Sequence, residues 1–188
     1  MVEGPGLVLD AVGRVREMVS NALEDLSAAE LLAPPQPHIA WLVWHLTRVQ
    51  DANFSNLMGC PQAWIADGWH ARFGMPPEPK DYGSGHRHTK AQVMEFTVND
   101  KRLLLSYLDA VFSRTKTYLN GLSNVDLNQI LNEPQYRPLP TLGIRLVSVI
   151  TCNLRHAGQI EYLHGLHKQN GWFPGQVVNL NPTKTGNM

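Results

Sequence analysis

The sequence has few of the features that mark the best-known protein classes. Only two of its 188 residues are cysteines, Cys60 and Cys152. Two are too few for a disulfide scaffold, and their separation fits neither a zinc ribbon nor a Cys-x-x-Cys redox motif. The 16 lysines and arginines are balanced by 16 aspartates and glutamates, so no net field favours a polyanion. Neither nucleic acid nor an anionic membrane is therefore expected as a partner.

Apolar runs and signature motifs are also missing. No run approaches the roughly 18 apolar residues of a membrane-spanning helix, and residues 1–6 lack the basic and apolar regions of a secretory leader. We therefore expect a cytoplasmic protein. The chain contains no glycine-rich phosphate loop, dinucleotide fingerprint, Ser-centred nucleophile elbow or His-Glu-x-x-His motif. These absences exclude the enzyme classes with the clearest signatures.

Four segments carry apolar residues at the three- and four-residue steps of an amphipathic helix. They cover residues 7–26, 38–58, 91–121 and 141–169. Ser27 and Glu30 have the spacing of a capping box, which predicts an extra helical turn after the first segment. Asn99 or Asp100 can cap the main part of the third segment, and Thr141 can cap the fourth. No convincing run of alternating strands competes, so the pattern predicts an all-α four-helix bundle.

The second and third segments are separated by a long loop, residues 59–89, which is rich in proline and glycine. Its aromatic residues are Trp64, Trp69, Phe73 and Tyr82. A loop of this length in a compact domain is unusual and tends to be functional. Its aromatic side chains either pin the loop over the core or offer apolar surface to a second copy, and we expect a homodimer. The domain is predicted to span residues 1–170, followed by a weakly ordered tail over 171–188.

Three residues could form a metal site. His45 lies in the least polar stretch of the chain, where an imidazole needs a partner that offsets its burial. Cys152 and His156 are four residues apart, so on a helix their Cβ atoms are about 5–6 Å apart, which one metal ion can bridge. The spacing permits a site without requiring one. A buried histidine is more often a core residue, and a free cysteine more often a small apolar one.

A family resemblance rests on four stretches of the chain. They read WLVWHLTRVQD at 41–51, DGW at 67–69, TLGIRLVSV at 141–149 and HAGQ at 156–159, the last followed by Tyr162. Together they resemble the DinB/YfiT-like superfamily of bacterial four-helix bundles over about residues 7–170. The likeness is stronger to the actinobacterial branch of that superfamily, whose function is unknown.

The resemblance implies a divalent metal, zinc or nickel. In the superfamily it is bound by one histidine of the second long helix and by a His-x-x-x-His pair of the last. These positions correspond to His45, Cys152 and His156 in this chain. Cysteine thus replaces the middle histidine, and a thiolate can serve zinc while changing the charge and softness of the site. Asn53 stands where the closer branch favours a histidine, a potential extra ligand.

Two classes of function remain open. In the first, an enzyme uses the metal to lower the pKa of a water or thiol, and acts on a small-molecule substrate. The resemblance implies a transferase or isomerase that depends on a low-molecular-weight thiol such as mycothiol or bacillithiol. Metal-dependent hydrolysis is the alternative reaction, with Asp51 or His86 as the candidate general base. In the second class, a non-catalytic dimeric bundle binds a small apolar ligand or a protein partner through the aromatic loop.

Overall fold

The computed structural model describes residues 3–83 and 88–169, and within these ranges the chain forms helices and no strand. The four long helices are α1 (Gly4–Leu23), α3 (Ile39–Met58), α7 (Lys101–Asn120) and α8 (Leu142–Lys168). Four short helices connect them: α2 (Ala28–Leu31), α4 (Ala63–Ala66), α5 (Trp69–Arg72) and α6 (Lys90–Glu95). The all-α bundle predicted from the periodicity is confirmed. No helix in these ranges is both long enough and apolar enough to cross a membrane.

Several of the helices begin at residues whose side chains satisfy free backbone N–H groups. The predicted capping box is confirmed: Ser27 Oγ accepts from Glu30 N at 3.3 Å, and the Glu30 carboxylate accepts from Ser27 N at 2.7 Å. Thr141 caps α8 as predicted. At the start of α3, His38 Nδ1 accepts from Trp41 N at 3.1 Å. These local contacts fix where the helices of the bundle start.

The helix predicted over 91–121 is divided in two. Phe96 ends α6 with an extended backbone, φ −73° and ψ 106°. Its ring is buried in the core, and its carbonyl oxygen lies 3.0 Å from His38 Nε2. Asp100 then starts α7 by accepting from Arg102 N at 2.9 Å and from Leu103 N at 3.4 Å. Burying the Phe96 ring stabilises the core, and this gain exceeds the cost of interrupting the helix at that residue.

Helix α3 is central, as its apolar sequence predicts. Every residue from 38 to 51 is buried, and α3 packs against both α7 and α8. Polar side chains within this run must therefore find partners inside the protein, because burying an unpaired polar group costs about 1–3 kcal/mol. The partners of these side chains define the candidate site.

The aromatic side chains of the 59–89 loop cover the core. Trp64, Trp69 and Phe73 are all buried, and their rings surround that of Tyr107 at centroid distances of 5.6, 5.2 and 5.7 Å. They therefore pin the loop to the bundle. The apolar surface on which the loop-based homodimer prediction rested is not exposed, and the homodimer itself stays a prediction.

Candidate functional site

Two of the predicted site residues meet between α3 and α8. The rings of His45 and His156 stand edge to face, with centroids 4.6 Å apart and planes at 86°. His45 is 5% exposed, while His156 is half-buried. The indole of Trp41, one turn earlier on α3, stacks on His45 with a centroid distance of 4.7 Å and an interplanar angle of 6°. One side of the His45 ring is thereby closed by an aromatic face.

The hydrogen bonds of both imidazoles use the same ring nitrogen. His45 Nδ1 donates to the backbone oxygen of Tyr82, and His156 Nδ1 donates to the side-chain oxygen of Gln159 at 2.7 Å. A carbonyl oxygen can only accept, so each neutral ring has its proton on Nδ1 and a lone pair on Nε2. Histidines that bind metal ions commonly have this arrangement, with the second nitrogen held by an oxygen.

Burial keeps both rings neutral at pH 7. Burial, with smaller contributions from the nearby His156 and His88, lowers the pKa of His45 to about 4, against the opposing effect of the bond to Tyr82. The pKa of His156 is also lowered, mainly by burial, with the bond to Gln159 opposing. A metal-binding imidazole must be unprotonated. The two histidines therefore meet the chemical requirement for zinc or nickel without losing a proton.

Cys152 differs from the two histidines in its environment. Its side chain is half-buried, and burial raises the pKa of the thiol, with Arg155 opposing. The thiol is therefore protonated at neutral pH. Across residues 3–83 and 88–169, no three histidine, cysteine, aspartate or glutamate side chains gather as a metal-binding group. The described part of the chain thus brings together two of the three predicted ligands, and a role for Cys152 as the third stays a prediction.

Asp51, a candidate general base, lies in a buried network. Its Oδ1 accepts from Ser55 Oγ at 3.2 Å and from Ala63 N at 2.9 Å. Its Oδ2 accepts from Trp64 N and from Tyr107 OH, both at 2.8 Å. A carboxylate has about four acceptor positions. All are occupied, so the geometry gives Asp51 a structural role in joining α3, α4 and α7 and does not favour a proton transfer.

The second candidate base, His86, lies outside the described residues. Its neighbour His88 packs beside the histidine pair and uses both ring nitrogens. Nδ1 accepts from Trp41 Nε1 at 3.2 Å, and Nε2 lies 2.9 Å from Asp81 Oδ1. The ring also stacks on Trp44 at a centroid distance of 5.5 Å. His88 therefore supports the aromatic side of the site, which is formed by Trp41 and Trp44.

Sequence reasoning gave no role to Arg48, which lies one turn after His45. Its guanidinium is fully buried and lies over the ring of Trp64 at 4.4 Å. It donates to Gln62 Oε1 at 2.7 Å and to the backbone oxygens of Glu78 and Asp81 at 2.9 and 3.4 Å. An arginine inside the most apolar helix was the available signal, because such a charge requires buried partners.

The fold and the histidine pair together define a helical bundle with a candidate imidazole site between two of its long helices. The chain belongs to the DinB superfamily, whose family model matches residues 9–160. It is also similar to the crystal structure of a conserved protein from Enterococcus faecalis. The two share 27% sequence identity with a TM-score of 0.80, over 90% of this chain and 100% of the other. No curated protein matches the chain.

Proposed function

We propose that the protein binds a divalent metal, zinc or nickel, through the Nε2 atoms of His45 and His156, and acts on a small-molecule substrate there. The observation that carries this proposal is the matched pair of Nδ1 hydrogen bonds, to Tyr82 and to Gln159. Each bond leaves the opposite nitrogen with a free lone pair on a neutral ring. Two adjacent imidazoles in this state repel little and offer two nitrogen ligands.

Two protein ligands would leave further coordination positions to solvent or substrate. A bound metal would lower the pKa of a water or thiol held at such a position. Two side chains orient and shield the imidazole rings. Trp41 covers one face of the His45 ring, and Gln159 fixes the ring of His156. Cys152, four residues before His156, would offer a thiolate only after losing its proton, so the two imidazoles carry the proposed site. An open site of this kind would accept a thiol or a water, and the family resemblance makes transfer or isomerisation with a low-molecular-weight thiol the first reaction to test, with hydrolysis the second.

Metal binding by the purified protein tests the proposal. Titration with zinc and with nickel should give one high-affinity site per chain. His45→Gln and His156→Gln should each weaken binding by at least about 10–100-fold, because losing even a group that only supports a metal ligand has that effect. His70→Gln is the matched control, since that ring contacts Trp64 away from the pair. Equal affinities in all four proteins would contradict the proposal.

A second candidate function, assembly without catalysis, rests on the exposed face of α8. Five apolar residues there are between 41% and 62% exposed: Ile144, Val147, Leu154, Tyr162 and Leu166. Together with Thr151 and Gly158 they follow the three- and four-residue spacing of one helix face, interrupted by Arg155. We call this face the α8 stripe. Apolar surface of this extent commonly marks an interface.

A second copy of the chain is the occupant we propose for the α8 stripe, because the stripe can pair with itself about a two-fold axis near Leu154. Tyr162 of one copy would then lie opposite Val147 of the other. Light scattering at micromolar concentration should give twice the chain mass of 21.0 kDa. Leu154→Glu should give the monomer, while Met94→Glu, at an exposed apolar residue of α6, should not. A monomeric wild-type protein would end this proposal. A small apolar ligand or another protein would then be the remaining occupants.

A further inference from the structure

The segment of residues 78–82 has no helix or strand of its own, and α3 holds it in place through backbone carbonyls. Arg48 Nη2 donates to the oxygens of Glu78 and Asp81, at 2.9 and 3.4 Å. His45 Nδ1 donates to the oxygen of Tyr82. His45 and Arg48 are three residues apart, so they lie on neighbouring turns of one helix face. Two side chains of α3 thus bind three carbonyls of one short segment.

Arg48 is itself rigidly held. Its guanidinium lies over Trp64 and donates to Gln62 Oε1 at 2.7 Å. Gln62 in turn donates to the oxygen of Pro79 at 2.9 Å. Removing a guanidinium from water costs several kcal/mol unless its donors are bonded. Two of the three hydrogen bonds of the guanidinium go to the 78–82 segment, so the position of that segment depends on Arg48.

The same segment contacts the aromatic side of the candidate site. Asp81 Oδ1 lies 2.9 Å from His88 Nε2. Gly83, the residue that follows the segment, approaches the indole of Trp41 so closely that a Cβ there would lie 2.6 Å from the ring. Trp41 stacks on His45. A shift of the segment would therefore move both the hydrogen-bond acceptor of His45 and the ring that covers it.

We propose that Arg48 is a positioning residue for His45. By holding the carbonyls of Glu78 and Asp81, it places the Tyr82 oxygen where that oxygen selects the Nδ1-protonated tautomer of His45. Nε2 is left free on the side away from the segment's carbonyl. The use of that nitrogen as a metal ligand rests on the proposed function, whereas the effect of Arg48 on the tautomer does not.

The tautomer can be measured directly by long-range proton–nitrogen correlation in the nitrogen-15-labelled full-length protein without metal. Wild-type His45 should show a protonated Nδ1 and an unprotonated Nε2. In Arg48→Lys and Arg48→Met the His45 signals should move toward the Nε2-protonated tautomer or an average of both. The His38 signals should stay unchanged. Arg145→Met is the matched control, because that arginine is also largely buried but pairs with Glu133 at 2.7 Å, away from the segment.

A zinc titration of the same variants separates this inference from the proposed function. A changed tautomer together with at least about 10-fold weaker zinc binding would support both. A changed tautomer in a protein that binds neither zinc nor nickel would support the role of Arg48 and overturn the metal site. An unchanged His45 tautomer in a folded Arg48 variant would overturn the inference, whatever the metal affinity. Loss of folding in both Arg48 variants would make the residue purely structural and would also overturn it.

Discussion

The imidazole of His45 on α3 meets that of His156 on α8 edge to face, at a centroid distance of 4.6 Å. Each ring has its Nδ1 bound to an oxygen, from Tyr82 and from Gln159 respectively. The pair therefore joins the two long helices through neutral rings whose remaining nitrogens are lone-pair donors. This relationship is the basis for treating the gap between α3 and α8 as the candidate metal site of the chain.

The role of Cys152 can be tested by replacing it with alanine and with histidine. Because Cys152 forms no three-residue ligand group in the described ranges, Cys152→Ala should leave zinc affinity within a few fold of wild type. Cys152→His would create a His-x-x-x-His pair with His156 and should tighten binding by about 10-fold or more. Calorimetric titration of the three proteins is the measurement. A large loss of affinity in the alanine variant would instead identify the thiol as a ligand.

His45 should make the protein without metal less stable in acid. Its pKa is about 4 in the folded state against 6.5 for the free side chain, so protonation favours the unfolded chain. The resulting destabilisation is absent above about pH 6.5, grows as the pH falls to about 4, and amounts to roughly 3 kcal/mol at its limit. Urea unfolding between pH 4 and 8, with a chelator present, should show a steeper loss for wild type than for His45→Gln. Parallel curves would contradict the pKa of His45.

Asp51 should contribute mainly to the stability of the folded protein. Asp51→Ala would leave buried donors at Ala63, Trp64 and Tyr107 without an acceptor, and each such group costs about 1–3 kcal/mol. We expect a loss of at least about 3 kcal/mol in the free energy of unfolding, measured in urea. Asp109→Ala, at a partly exposed ion pair with Arg16, should cost no more than about 1 kcal/mol. If the Asp51 variant kept its stability but lost an identified activity, the catalytic prediction for Asp51 would be favoured instead.

Alanine substitutions at Gly83 and Gly59 would separate the cost of backbone strain from the cost of a steric contact. Both have left-handed backbones, with φ of 70° and 64°, so alanine at either site costs about 1 kcal/mol of conformational energy. A Cβ at Gly59 would meet nothing within 4 Å, whereas at Gly83 it would lie 2.6 Å from the ring of Trp41. Gly83→Ala should therefore lower the melting temperature more than Gly59→Ala, and should alter tryptophan fluorescence. Equal effects of the two substitutions would show that Trp41 moves aside freely.

Much of the fold could be predicted from local sequence. The capping box at Ser27, a cap at Asn99 or Asp100 and the cap at Thr141 could be predicted because each involves residues within a few positions of one another, and Asp100 is the residue that caps α7. The buried character of α3 followed from its apolar run. The predicted cap at Asn99 or Asp100 indicated where α7 begins, but the extended backbone at Phe96 could not be predicted, because only the core, with His38 opposite, favours it.

The candidate site was predictable only in part. His45 and His156 were selected by an apolar setting and a family resemblance, and they do meet. Asp51 was one of two candidate general bases, with His86, and no geometry supported either choice. Its four hydrogen bonds come mostly from α4 and α7, which the sequence does not place.

The sequence by itself determined the four long helical segments, the caps at Ser27 and Thr141 and the helix that would be buried, because periodicity and these caps are set by neighbours within one or two turns. Only the tertiary structure decided which imidazole nitrogens carry protons, that Arg48 binds the 78–82 segment, and that the loop aromatics close around Tyr107. These depend on contacts between residues far apart in the chain. Whether a buried polar group is a ligand, a base or a support is settled by the partners that such contacts supply.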